Sequence, residues 1–348
     1  MKILYGIQGT GHGHISRARE IIPLLAEKAD VDVLISGYNC KMSLDDIPII
    51  HKRGISLAYD SKGGVSYLQT ALNIKPVTFL QDVNQLKIDQ YDLIISDYEP
   101  ITSWAALNSE IPLIGLSHQA AFLSPKSPRP RKKSLIAEQI LRHFAPCNRP
   151  FGFHFKRYDS FILPPIIRKD VRDLIPNPGN HITVYLPAFD HETLVSIFSQ
   201  CKSKDWQLFS PLCDTPYQKE NVHVFPVGNK PFLDSMKNSY GVVTSAGFET
   251  CAEAMYLGKK LLVIPIQNQY EQLCNAAALK EMGIHVIFKL DAAFKDRVEH
   301  WIKNAPIVQL EEAADTEHLT HKLIRFAGRK KIKRNYSLSE FSGSLKNL

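Results

Sequence analysis

The sequence predicts the α/β class, as two doubly wound parallel-sheet domains in series, and three observations lead there. The chain has 348 residues, and a typical domain holds roughly 100–200, so two domains are the natural division. Short continuous apolar runs alternate with amphipathic stretches of helical spacing, the pattern of a parallel sheet covered on both faces. That series occurs twice, on either side of a segment from Leu163 to Gly179 that carries Pro164, Pro165, Pro176 and Pro178.

In the first half, Lys2–Ile7 reads as a strand, and Ile15, Ala18, Ile22 and Leu25 then recur at helical spacing. Val31–Ser36 is a second strand and Ile55–Tyr59 a third. Leu93–Ser96 is a strand ending at Asp97, and Leu113–Leu116 follows the turn at Ile111-Pro112. Residues 124–133 hold three prolines and five basic residues, the composition of an exposed loop. An amphipathic stretch, Leu135–Phe144, comes next. In the second half, strands are expected at Ile182–Leu186, Trp206–Phe209, Val222–Phe225, Gly241–Thr244, Lys260–Ile264 and His285–Phe288. Helices fit between them at His191–Cys201, Pro231–Lys237, Phe248–Leu257, Gln269–Met282 and Ala292–Lys303. The expected division is an N-terminal domain at 1–163, a linker at 164–179, a C-terminal domain at 180–315, and a C-terminal helix and basic tail at 316–348 that cross back to the N-terminal domain. No short-period repeat is present, which excludes a solenoid.

Composition narrows the class further. The hydrophobic fraction is 44% and the charged fraction 22%, ordinary for a globular protein. No apolar run reaches the roughly 20 residues that span a bilayer. The opening Met1-Lys2-Ile3-Leu4-Tyr5-Gly6 reads as a buried strand rather than a signal peptide, so the expected compartment is the cytoplasm. Six cysteines, at 40, 147, 201, 213, 251 and 274, show neither a Cys-x-x-Cys pair nor zinc spacing. His191-Glu192 and His321 lack partners at metal spacing. Asp30-Val31-Asp32 starts a strand and so lies at the wrong edge of a sheet for a ligand-binding carboxylate pair. No metal and no cofactor is expected. The net charge of +7 is concentrated at Lys126–Lys133 and Arg329–Arg334. Such runs are either solvated surface or docking sites for an anionic partner, membrane lipid or a phosphorylated acceptor. Few aromatics are interleaved with them, so nucleic acid is not an expected partner.

The first candidate site is the loop Gly6-Ile7-Gln8-Gly9-Thr10-Gly11-His12-Gly13-His14, which joins the first strand to a helix. Gly9, Thr10, Gly11 and Gly13 let backbone approach a ligand closely at the N-terminus of that helix. The loop lacks the G-x-G-x-x-G of a dinucleotide site, and His12 stands where a P-loop has lysine. A ligand loop and a tight strand-to-helix turn both fit. His14 and His12 are the candidate bases. Asp97 ends another strand of the same sheet, where an acid can fix the tautomer of a histidine.

The second candidate site follows the strand at Gly241–Thr244. Ser245, Ala246, Gly247 and Thr250 surround the start of a helix, an anion site with the helix dipole behind it. Glu253 lies three residues beyond Thr250 on nearly the same face and suits the hydroxyl pair of a ribose. Glu271 and Gln272 follow the next strand and suit the hydroxyls of a sugar ring.

At these residues the sequence resembles the GT-B glycosyltransferases, whose two Rossmann-like domains face each other across a cleft. It is similar to the lipid-linked N-acetylglucosaminyltransferase of peptidoglycan synthesis, the galactolipid synthases and the UDP-glycosyltransferases. The family's C-domain signature of Gly, then Ser or Thr, then Glu matches Gly247, Thr250 and Glu253, and its later proline and acidic-Gln pair match Pro265 and Glu271-Gln272. Its Gly-His loop end matches Gly13-His14, and the acid that pairs with that histidine matches Asp97. The resemblance implies an inverting, metal-independent transfer from a nucleotide-diphosphate sugar, with UDP as the nucleotide. It selects His14 over His12 as base, with Asp97 orienting it and Ser245, Gly247 and Thr250 holding the leaving diphosphate. The basic run Lys126–Lys133, in the domain that holds the acceptor in those proteins, and the amphipathic Leu135–Phe144 after it give the further expectation of a lipid-linked or anionic acceptor, peripheral contact with the inner face of the membrane, and a place in envelope polysaccharide or glycolipid synthesis. Two departures stand out. Ser245 replaces a histidine common in the plant proteins, and Pro187-Ala188-Phe189-Asp190 replaces a Gly-Ser-rich loop. A sugar-nucleotide 2-epimerase and a non-catalytic nucleotide-sugar-binding protein are the alternative readings.

Overall fold

In the computed structural model of the chain, residues 1–10, 12–37, 47–55 and 75–327 are described, apart from the side chain of His12. The first sheet is built from β1 (Lys2–Gln8), β2 (Asp30–Ser36), β3 (Ile49–Lys52), β4 (Leu93–Asp97), β5 (Leu113–Ser117), β6 (Arg149–Phe153) and β7 (Ile162–Leu163). Its order is β3-β2-β1-β4-β5-β6-β7, and each neighbouring pair is parallel. Helices α1 (His12–Ala26), α2 (Pro76–Gln85), α3 (Pro100–Ala106) and α4 (Leu135–His143) cover it, with a short 3-10 helix at Gln119–Leu123. The short helix α5 (Lys169–Arg172) lies between the two sheets in the chain.

The second sheet holds β8 (His181–Tyr185), β9 (Asp205–Ser210), β10 (Tyr217–Lys219), β11 (Val222–Pro226), β12 (Gly241–Thr244), β13 (Lys260–Val263) and β14 (His285–Val286). Its order is β10-β11-β9-β8-β12-β13-β14, parallel except for the β10–β11 pair. The helices of this half are α6 (His191–Phe198), α7 (Asn229–Asn238), α8 (Phe248–Tyr256), α9 (Tyr270–Glu281), α10 (Phe294–Asn304) and α11 (Thr316–Ile324). The chain is α/β, with two parallel-dominated sheets. Each sheet reverses its direction of growth once, between β1 and β4 and between β8 and β12. Ligands of such sheets bind beyond the strand C-termini at these reversals, and both candidate loops leave the sheet there.

The two halves share apolar packing. Ile3, Ile21 and Phe153 of the first half, Phe248 and Ala252 of α8, and Leu319 and Leu323 of α11 belong to one continuous buried cluster. Helix α11 packs on α1, and Phe326 just beyond it meets Phe151 of β6 at a ring separation of 5.8 Å.

Three expectations need correction. A strand at Ile49–Lys52, paired from Val33↔Ile49 onward, precedes the expected strand Ile55–Tyr59. Ile55 is buried outside any strand, and residues 56–59 lie outside the described residues. The edge position favours the β-branched pair Ile49-Ile50, which extends directly from Pro48. Strands β6, β7 and β10 were not expected. The loop at 124–133 is partly internal: Ser124 and Ser127 are buried, and Ser127 Oγ donates to the Ala121 carbonyl at 2.6 Å. Gly11, Cys40 and the basic run Arg329–Arg334 lie outside the described residues. Among the described residues no helix is long and apolar enough to cross a membrane.

Candidate functional site

The first half of the site forms where β1 and β4 lie side by side. Their register sets Asp97 opposite Ile7, so the end of β4 faces the start of the glycine loop. The chain then turns sharply. Tyr98 has a positive φ of 54°, uncommon for a residue with a side chain. Glu99 caps α3, its carboxylate accepting from the Ile101 and Thr102 amides at 2.8 and 2.7 Å and from Ser36 Oγ at 2.6 Å. Burial pushes the Glu99 carboxyl above its ordinary value, against those hydrogen bonds. This anchored turn leaves Asp97 fully buried and aimed at α1.

There Asp97 Oδ1 lies 2.7 Å from His14 Nδ1. Arg17, one turn further along α1, grips the same carboxylate with Nη2 on Oδ1 at 2.7 Å and Nε on Oδ2 at 2.8 Å. Burial pushes the Asp97 carboxyl up, but the Arg17 guanidinium and His14 outweigh it and hold it below the ordinary carboxylate value. Burial likewise opposes the charge of Arg17, yet Asp97 and Glu249 keep its pKa raised. The Tyr98 ring lies parallel to the His14 imidazole at 6.4 Å. Arg17 escaped sequence reading, although a residue three places after His14 shares its helix face.

The second half is the β12–α8 junction. Ser245 and Ala246 are buried behind it, Gly247 precedes the first turn, and no side chain caps that turn. Its amide N–H groups and the helix dipole are therefore available to an anion. Thr250 is half-buried on the same turn. By contrast, the loop after β8 leads into a helix already capped by Asp190, which accepts from the Thr193 amide at 2.8 Å. Asp32 of the Asp-x-Asp triplet binds Tyr91 Oη at 2.7 Å and Lys2 at 3.0 Å, a structural role at the start of β2.

Several side chains join the two halves across the cleft. Glu249 in the first turn of α8 reaches Arg17 Nη1 at 3.1 Å. Its carboxylate lies over Gly13 so closely that a Cβ there would stand 2.4 Å from it. Glu253 is buried and paired with Arg168, which precedes α5. Burial pushes the Glu253 carboxyl up, with Arg168 opposing. Glu271 accepts from Gln119 Nε2 at 2.9 Å. Gln272 uses its carbonyl oxygen on the Ile266 amide at 3.0 Å, holding the loop before α9. His118, after β5, stacks on Phe248 at 3.9 Å, with Nε2 at 2.8 Å from Asn275 Oδ1 and Nδ1 at 2.7 Å from the Phe153 carbonyl. Tyr270 Oη donates to Glu138 Oε1 at 2.6 Å, on which Arg129 Nε also closes at 2.5 Å.

The predicted residues meet the other half of the seam through their neighbours: Gly13 lies under the Glu249 carboxylate, Arg17 links Asp97 to Glu249, Arg168 holds Glu253, and Gln119 holds Glu271. Such an arrangement can deprotonate a hydroxyl on one side while holding an anion on the other. The model of the family described as Glycosyl transferase family 1 matches residues 1–306. A protein described as an uncharacterized glycosyltransferase, from Methanosarcina acetivorans, is 23% identical over 335 residues, covering 81% of this chain and 82% of its own. The fold is similar to that of MurG from Acinetobacter baumannii, with a TM-score of 0.58, 13% identity and coverage of 93% and 99% of the two chains. It is also similar to UGT2 from Phytolacca americana, solved with UDP-2-fluoro-glucose and pterostilbene, with a TM-score of 0.56, 14% identity and 99% coverage of each chain.

Proposed function

The chain belongs to glycosyl transferase family 1 and has the GT-B fold, and from that premise we propose that it moves a sugar from a nucleotide-diphosphate donor, UDP-linked, to an acceptor hydroxyl with inversion and without a metal. The observation that carries this reading is the His14–Asp97 pair set directly across the seam from the uncapped start of α8. Asp97 engages His14 through Nδ1, which makes Nε2 the nitrogen for an acceptor hydroxyl. A single displacement then inverts the anomeric carbon. The departing diphosphate is received by the first-turn amides of α8 together with Ser245 and Thr250, fixed dipoles that stabilise charge as it develops. UDP is favoured because the UGT2 structure of the same fold holds a UDP-sugar. Glu253 is the group for the ribose, and Glu271 with Gln272 the group for the sugar.

For the acceptor, the first half offers a basic and apolar surface. Arg131, Lys132 and Lys133 are exposed, and Leu135 and Ile136 at the start of α4 are 80% and 44% exposed. This supports a lipid-linked or anionic acceptor, met at the inner face of the cytoplasmic membrane during envelope polysaccharide or glycolipid synthesis.

The test is a panel of nucleotide sugars screened by thermal shift, followed by nucleotide release and product analysis with the donors that bind. A ligand that binds only the folded state raises its stability. Stabilisation by a UDP-sugar and an inverted glycoside product are expected. A C2-epimerised donor would replace the reading with an isomerase, and binding without turnover would replace it with a binding protein.

A further inference from the structure

We propose that Arg17 and Glu249 are positioning residues that couple closure of the cleft to the proton affinity of His14, an inference that rests on the reading of His14 as base. Arg17 is a buried guanidinium with two carboxylate partners on opposite sides of the seam: Asp97 from β4, gripped by Nε and Nη2, and Glu249 from α8, met by Nη1 at 3.1 Å. His14 touches Arg17 on its own helix and Asp97 on β4, and the charge of Glu249 on α8 reaches it through Arg17; Tyr5 of β1, which feels Asp97 and Arg17, and the Tyr98 ring are the titratable hydroxyl-bearing groups around them.

Charge balance gives the coupling. Without Glu249, Arg17 and Asp97 cancel, and a proton gained by His14 leaves a buried unit charge uncompensated. With Glu249 seated, two carboxylates face two cations, and the imidazolium formed when an acceptor hydroxyl is deprotonated is compensated. The base is therefore strongest when the donor-side helix is in place, which ties deprotonation of the acceptor to arrival of the donor half. Gly13 is part of the device, because a methyl group there would stand 2.4 Å from the Glu249 carboxylate and push it off its seat.

The experiment follows histidine imidazole resonances of the full chain against pH, with His14 assigned from their loss in His14→Gln. It needs no substrate. Glu249→Gln is expected to move the His14 midpoint down by about one unit, the scale of removing one nearby, partly screened charge. Arg17→Gln is expected to move it up, because the cation is lost and Asp97 is left undivided, while Arg17→Lys stays near the parent protein. Gly13→Ala is expected to reproduce Glu249→Gln, and it decides the matter should Arg17→Gln fail to fold. Midpoints for Glu249→Gln and Gly13→Ala that coincide with the parent would overturn the coupling. Failure of the reading of His14 as base shows itself separately, as a His14→Ala variant with undiminished turnover.

Discussion

Arg168 closes on Glu253 with Nε to Oε1 at 2.6 Å and Nη2 to Oε2 at 3.1 Å, so the carboxylate matched to ribose recognition is held by a residue from the segment between the two sheets. The same guanidinium also reaches Asn229 Oδ1 at 2.5 Å. The pair fixes the carboxylate, proposed for ribose, to the segment that joins the halves. Glu253→Ala is expected to weaken UDP binding by ~1.5–3 kcal/mol, the usual range for hydrogen bonds to a charged group. Calorimetry with UDP checks this, and unchanged affinity removes Glu253 from the ribose.

Arg168→Ala is expected to act on stability with a defined pH dependence. Burial already raises the Glu253 carboxyl above its ordinary value while Arg168 pulls it down. Loss of Arg168 raises it further. An acid whose folded pKa exceeds its unfolded one binds more protons when folded, so its contribution to stability falls as pH rises between the two values. The variant should therefore lose more stability relative to the parent at neutral pH than near pH 4.5. Urea titrations at both pH values read the difference, and a deficit that shrinks toward neutral pH contradicts the burial argument.

The dyad makes separate predictions for chemistry and folding. His14→Ala is expected to lower turnover by about 10²–10⁴-fold with UDP affinity retained. An inactive His12→Ala beside an active His14→Ala would reverse the assignment. Asp97→Asn leaves the Arg17 guanidinium buried against a neutral amide, and breaking a buried pair from one side costs about 3–5 kcal/mol. The folded Asp97 pKa lies below its unfolded value, so its stabilisation is present above the ordinary carboxylate range and is lost as pH falls through the folded value. Acid denaturation should consequently begin at higher pH when the Arg17 partner is removed.

Legibility in the sequence followed locality. The pairing of His14 with Asp97 was readable because adjacent strand ends deliver both side chains to one edge. Gly247, Thr250 and Glu253 were readable because they share one helix. Arg17 carried a usable signal, its i+3 spacing from His14, but a lone arginine on an apolar helix face does not announce a buried partner. The cross-seam contacts, Arg168 with Glu253 and Gln119 with Glu271, depend on how the two halves meet, which no local pattern encodes. Strand β6 was hidden by Pro150 and Gly152, residues that weaken a strand reading although the sheet accepts both. Arg129 was counted among the loop's surface cations, yet it is folded inward over the Phe122 ring at 5.0 Å and onto Glu138.

His118 offers a test of the seam itself. Its ring stacks on Phe248 and contacts acceptors on both halves. His118→Phe keeps the stack but leaves Asn275 Oδ1 and the Phe153 carbonyl without this partner. Each buried group left unpaired costs about 1–3 kcal/mol, so the melting temperature should fall by several degrees. A variant as stable as the parent would show that water or rearrangement satisfies both acceptors.

The surface around α4 bears on where the acceptor is met. The sequence places five basic residues between Lys126 and Lys133, but the structure withdraws Arg129 into the Glu138–Tyr270 contact. Lys126 remains outside, 3.9 Å from Asp159, and Arg131, Lys132 and Lys133 are exposed. Directly after them, Leu135 and Ile136 project into solvent at the first turn of an amphipathic helix whose Ala137 is buried and whose Glu138 and Ile140 face inward by halves. Charge beside exposed apolar side chains is the arrangement of an interfacial contact, in which the cations supply long-range attraction and the apolar pair inserts. The electrostatic part is screened by salt, whereas the insertion is not. Co-sedimentation with vesicles containing anionic lipid is therefore expected at low salt and reduced at high salt. Replacing Lys126, Arg131, Lys132 and Lys133 by serine should abolish the salt-sensitive part, and Leu135→Ser with Ile136→Ser should abolish the remainder. Arg129→Ser, by contrast, should disturb the Glu138–Tyr270 seam without a specific loss of vesicle binding. No binding at low salt, or binding that survives the fourfold serine replacement unchanged, would sink the membrane contact and leave a soluble anionic acceptor as the partner for this face.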